Sequence, residues 1–154
     1  MLRLAGTEYS LDAQAFDIFV SGCTRNCYNC FNKAEQDFNY GAIIDDKLLS
    51  SIVTKVNDNI DLIKKVRIMG GDLLCHSEKD ALSFMLDLHT GIRLPFVLYT
   101  GESKEGIPEW CFKLFSEIKY GKYEDDKHCD SKLFGSSNQH YIIKDDRGEW
   151  EEIA

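Results

Sequence analysis

Three cysteines within eight residues, Cys23, Cys27 and Cys30, follow directly on the run Phe16-Asp17-Ile18-Phe19-Val20 and the break Ser21-Gly22. The run is rich in β-branched and aromatic residues and reads as a strand. A chain of this kind must gather soft ligands in one loop at a strand's carboxyl end. Thiolates suit zinc, Cu(I) and iron–sulfur clusters. Structural zinc usually takes four protein ligands in separated pairs. Here three sit in a single loop, and a fourth would have to come from afar, from Cys75, His76, His128 or Cys129. Three thiolates leave one iron of a [4Fe–4S] cubane open, and a small molecule can chelate that iron. Inert buried thiols are the plain alternative, and the density of this triplet speaks against them.

The rest of the chain alternates short apolar runs with helical patterns. Lys65-Val66-Arg67-Ile68-Met69 reads as a second strand that stops at Gly70-Gly71, and Pro95 to Tyr99 as a third that stops at Thr100-Gly101. Asp45 or Asp46 can cap a helix with Leu48, Leu49, Ile52, Val53 and Val56 on one face. Ser77 suits the N-cap of another, with Ala81, Leu82, Met85 and Leu88 on its face. Pro108 opens a third, carrying Trp110, Leu114, Phe115 and Ile118. Runs at 118–123 and 140–143 look like further strands, and the charge-rich stretch from about Asp145 to Glu151 like a solvated tail.

Strands separated by helices indicate βαβ units and a mostly parallel sheet. With 154 residues the chain is a single α/β domain, too short for a full eight-stranded barrel of about 250 residues. The expected fold is a small open partial (βα) barrel of about five or six strands. Ligands in such sheets bind beyond the carboxyl ends of the strands. The cysteine loop (22–32), Gly70-Gly71-Asp72 and Thr100-Gly101 should therefore converge on one rim.

Eighteen Lys and Arg against twenty-six Asp and Glu give a net charge of −8, which argues against a nucleic-acid partner. No stretch approaches the roughly 20 apolar residues of a membrane span, and the N-terminus lacks the apolar region of a signal peptide. A cytoplasmic protein with reduced thiols is expected. Cys111 falls on the apolar side of its helix and should be core; Cys75 and Cys129 read as structural or incidental.

The C-x3-C-x2-C loop after the first strand resembles that of radical S-adenosylmethionine (SAM) enzymes. The run Cys27-Tyr28-Asn29-Cys30-Phe31-Asn32, with Asp37-Phe38-Asn39-Tyr40-Gly41, is similar to one branch, the activating proteins of anaerobic, class III ribonucleotide reductase. Gly70-Gly71-Asp72, Tyr99-Thr100-Gly101, Tyr120-Gly121-Lys122-Tyr123 and Gly135-Ser136-Ser137-Asn138-Gln139 resemble that branch's later motifs, in its order. The chain departs from it at Leu73-Leu74, where proline is common, and at Ser10 to Ala15, where glycine and arginine are usual. Asn29 also stands where most of the superfamily has an aromatic residue.

The resemblance implies that Cys23, Cys27 and Cys30 hold a [4Fe–4S] cluster and that Asn29, Gly70, Gly71, Asp72 and Thr100 contact SAM. It implies reductive cleavage of SAM, a glycyl radical formed on the reductase's large subunit, and a flavodoxin-like electron donor. No side-chain acid or base is required by such chemistry. Two other readings are an activase of another glycyl-radical enzyme, or other small radical SAM enzyme, and a zinc-stabilised interaction module.

Overall fold

The computed structural model describes residues 1–154. In chain order it comprises β1 (Arg3–Ser10), β2 (Ala15–Val20), β3 (Ala42–Ile43), α1 (Asp46–Asp58), β4 (Lys65–Gly70), α2 (Glu78–Gly91), β5 (Phe96–Tyr99), α3 (Glu109–Leu114), β6 (Glu117–Tyr120), β7 (His140–Lys144) and β8 (Trp150–Glu152). The strands form one sheet in the order β3-β1-β2-β4-β5-β6-β7-β8. β2, β4, β5 and β6 pair in parallel at its centre. β3 and β1 on one flank, and β7 and β8 on the other, are antiparallel.

Side chains alternate across the central strands, and this decides where the core sits. Phe16, Ile18, Val20, Val66, Ile68, Phe96, Leu98 and Ile118 are buried in one cluster with Ile52 and Val56 of α1 and Ala81, Phe84, Met85 and Leu88 of α2. Each fully buried Phe or Leu there stabilises the fold by about 1.5–3 kcal/mol. The alternate positions carry Asp17, Arg67, Tyr99 and Lys119. Both long helices begin where expected: Asp45 accepts from Leu48 N at 2.8 Å and Ser77 Oγ from Asp80 N at 3.2 Å. Cys111 is fully buried, as its helix face implied.

Three expectations are corrected. The sheet has eight strands rather than five or six and only its central pairings are parallel; it is not closed, as expected. The overlooked first strand, Arg-Leu-Ala-Gly-Thr-Glu-Tyr-Ser, has no fully buried residue, so it lacks the apolar alternation that marks a strand in sequence. The stretch after Asp145 is a hairpin: Asp145 Oδ1 accepts from Arg147 N and Glu149 N, both at 2.9 Å, and Gly148 takes φ +82°. β8 then pairs with β7, and Trp150 packs edge-on against Phe112 at 5.6 Å. α3 ends at Leu114; Phe115 is already extended and Ile118 belongs to β6. No helix is long and apolar enough to cross a membrane.

Candidate metal and cofactor centre

The segments leaving the carboxyl ends of β2, β4, β5 and β6 meet around a cavity of about 590 Å³, within the range usual for small-molecule sites. Its walls include Cys23, Cys27 and Cys30 from the first, Gly70, Gly71 and Asp72 from the second, Thr100 and Gly101 from the third, and Gly121 and Tyr123 from the fourth. The rim expected from the sequence is thus assembled. Asn29 does not line it. That residue is exposed, with φ +52°, and its Nδ2 donates to Asp125 Oδ2 at 3.1 Å.

Backbone packing dictates the two glycines. Gly71 N donates to Val20 O at 2.7 Å, and Asp72 N to Gly22 O at 2.9 Å. A Cβ on Gly71 would lie 2.6 Å from Gly22 O and 2.7 Å from Glu35 O, so the main chains pass too closely for any side chain. Gly70 takes φ +103°, and its carbonyl accepts from Asn32 Nδ2 at 3.1 Å. The cysteine loop is seated on the same surface: Gly22 N donates to Glu35 O at 2.7 Å and Cys23 N to Gln36 O at 3.1 Å.

Asp72 ties the loops together. It is 2 % exposed and accepts from Leu74 N (3.0 Å), Thr100 Oγ1 (2.8 Å), Gly101 N (2.8 Å) and Arg25 Nε (2.6 Å). Arg25, from inside the cysteine loop, also reaches Glu102 Oε2 at 3.3 Å. The carboxylate read from sequence as an acceptor for a ligand's ammonium is thus engaged by donors of this chain. Gln139 does similar work on the far wall, accepting from Gly135 N and Ser136 N at 2.9 and 3.1 Å while donating to Gly121 O at 2.9 Å.

Two side chains at the site escaped sequence reasoning. Lys119 lines the cavity, with its ammonium 4.5 Å from the Tyr99 ring centroid. Burial lowers its pKa to about 8. Arg25 had no spacing or periodicity to announce it. Cys75, read as structural or incidental, lies outside the cavity walls; its Sγ, that of Cys23 and an Asp72 oxygen are all within 4.8 Å of one another. The closeness of the two thiols raises the pKa of Cys23 and lowers that of Cys75.

The donor set fits an iron–sulfur cluster: three free, half-buried thiols open on one cavity, and soft sulfur ligands are what such clusters take. A family described as "4Fe-4S single cluster domain" matches residues 14–142. The chain is 33% identical to an anaerobic ribonucleoside-triphosphate reductase-activating protein of Haemophilus influenzae, over 57 residues that make up 37% of each chain. It is 35% identical to one of Pasteurella multocida, over 57 residues, 37% of this chain and 36% of that one. Both alignments thus span little more than a third of those relatives. No solved structure matches. The match over residues 14–142, together with three thiols facing one cavity, makes this chain a member of the 4Fe-4S single cluster domain family.

Proposed function

We propose that the chain is a radical SAM activase that generates a glycyl radical on the large subunit of an anaerobic ribonucleotide reductase, with a flavodoxin-like protein as electron donor. The observation that carries this reading is the convergence of Cys23, Cys27 and Cys30 with Gly70, Gly71 and Thr100 on one cavity at the strands' carboxyl ends. The three cysteines would hold the cluster. Bound there, a [4Fe–4S] cluster would supply the electron for cleaving SAM to methionine and a 5′-deoxyadenosyl radical, which would take a hydrogen atom from the partner's glycine.

The chain's own residues bind, orient and shield. Gly70 and Gly71 bring main chain to the cavity without side chains in the way. The carboxylate of Asp72 ties the three loops together where it lines the cavity. Phe31, 66 % exposed at the mouth and 4.9 Å from the Tyr123 ring, offers an aromatic surface toward whatever enters. The names of the relatives from Haemophilus influenzae and Pasteurella multocida support the choice of partner.

The test is anaerobic reconstitution with iron and sulfide, then addition of dithionite and SAM. Brown protein that forms 5′-deoxyadenosine, and loses this activity in Cys27→Ala, is expected. Colourless protein that holds one tight zinc and leaves SAM intact would overturn the reading in favour of a structural metal module.

A further inference from the structure

Cys75 lies outside the walls that carry Cys23, Cys27 and Cys30, yet its sulfur is within 4.8 Å of that of Cys23. It ends the 3-10 turn Leu73–Cys75, with Cys75 N donating to Asp72 O at 3.0 Å and Asp72 capping the turn through Leu74 N. The turn follows β4, and β4 in turn is pinned to the start of the cysteine loop by the Gly71–Val20 and Asp72–Gly22 hydrogen bonds. Rigid backbone on both sides thus holds the sulfurs of Cys23 and Cys75 within 4.8 Å of each other. Thr24 Oγ1 donates to the Cys75 sulfur at 3.5 Å. Both cysteines are half-buried, within reach of small solutes, whereas Cys111 is sealed in the core and Cys129 faces Phe134 O in another loop.

We propose that Cys23 and Cys75 form a reversible disulfide in the cluster-free protein, by exchange with a low-molecular-weight disulfide of the glutathione type. The Cys75 sulfur, as its thiolate, attacks one sulfur of the small disulfide and releases one small thiol. Cys23, on losing its proton to solvent, attacks the Cys75 sulfur of this mixed disulfide and releases the second. Two protein thiols are oxidised to one S–S bond, and one small disulfide is reduced to two thiols. A sulfur in that bond has no thiolate to offer iron, so the bridge and a Cys23–iron bond exclude each other. The bridge also keeps Cys23 from the irreversible sulfinic and sulfonic steps open to an exposed thiol. It leaves the loop on its native seat, so that reduction returns a competent ligand set. This goes beyond the activase reading, and needs only that Cys23 is an iron ligand.

The test uses the full-length, cluster-free protein under anaerobic conditions, treated with oxidised glutathione, alkylated, digested and analysed by mass spectrometry. The expected result is two of the six thiols lost to alkylation and a linked pair of peptides carrying Cys23 and Cys75. The same oxidised sample should take up iron and sulfide only after dithiothreitol. Cys75→Ser and Cys75→Ala should form no such link. A link from Cys23 to Cys27 or Cys30 in its place, or a Cys75 that stays fully alkylated while others oxidise, overturns the proposal. A reconstituted protein that fails to cleave SAM would sink the activase reading while leaving this outcome as it stands.

Discussion

Removing the Asp72 carboxylate should cost more stability than any other single change at the cavity. In Asp72→Ala the Arg25 guanidinium loses its 2.6 Å partner, and Thr100 Oγ1, Gly101 N and Leu74 N lose their acceptor. The pair is shielded, with side chains 17 % and 2 % exposed, so the small values typical of surface ion pairs do not apply. Stranding one member of a buried pair costs about 3–5 kcal/mol, a large part of the roughly 5–15 kcal/mol that holds a domain together. At a urea slope of about 2 kcal/mol/M, the unfolding midpoint should fall by about 2 M. The assay is equilibrium urea unfolding of reduced, cluster-free protein, followed by far-ultraviolet circular dichroism. Much of the cost is a shielded charge left with Glu102 alone at 3.3 Å, so Asp72→Ala combined with Arg25→Met should recover about 1–3 kcal/mol relative to the sum of the single changes. A loss below about 1 kcal/mol in Asp72→Ala, or a double variant that is simply additive, would refute the view that this carboxylate ties the loops together.

Gly71→Ala should lose about 1–3 kcal/mol of stability by overpacking and take up less iron, because its new methyl meets two backbone oxygens at 2.6 and 2.7 Å. Gly6→Ala, with nothing within 4 Å of its Cβ, is the control and should change neither urea midpoint nor iron content. Lys119→Met should be more stable than the parent by roughly 2–3 kcal/mol at pH 7, since burial lowers the lysine pKa from 10.5 to about 8. The folded state binds fewer protons than the unfolded one between about pH 8 and 10.5, so the parent gains stability as pH rises through that window. The difference from Lys119→Met is therefore full below about pH 8 and fades toward pH 10.5, as urea unfolding at several pH values will read out.

The elements with a strong local signal were legible in the sequence. The apolar runs of β2, β4 and β5 and the Asp45 and Ser77 caps lie where period and capping placed them, as does the convergence of three loops on one rim. What escaped is what depends on partners distant in sequence. β1 owes its place to pairing with β2 and β3, and β8 to pairing with β7 and to Trp150 against Phe112. Neither shows the apolar alternation by which a strand is recognised. At the site, residue types were legible and their bonding was not. Asp72 was read as an acceptor for a ligand, but its donors come from residues 25, 74, 100 and 101. Arg25 lies 47 residues from it in sequence, and no periodicity connects them.

The same bonding limits what the cavity can do. Two carboxylates line it, Asp72 and Asp130. Asp72 is engaged by four donors, and the Asp130 side chain is fully exposed at the rim. Arg67 is held by Asp17 at 2.6 and 2.7 Å and reaches Tyr99 OH at 3.3 Å, so this cation is spoken for as well. The imidazole on the wall, His128, is about half exposed and faces Tyr123 OH and Asp130. General acid–base catalysis wants a group with free capacity and a tuned pKa aimed at the substrate; Asp72, Arg67 and His128 are instead engaged by neighbours, and the buried Lys119 ammonium packs on the Tyr99 ring. Such a lining holds its shape, which suits chemistry in which a cofactor does the bond breaking and the protein fixes geometry.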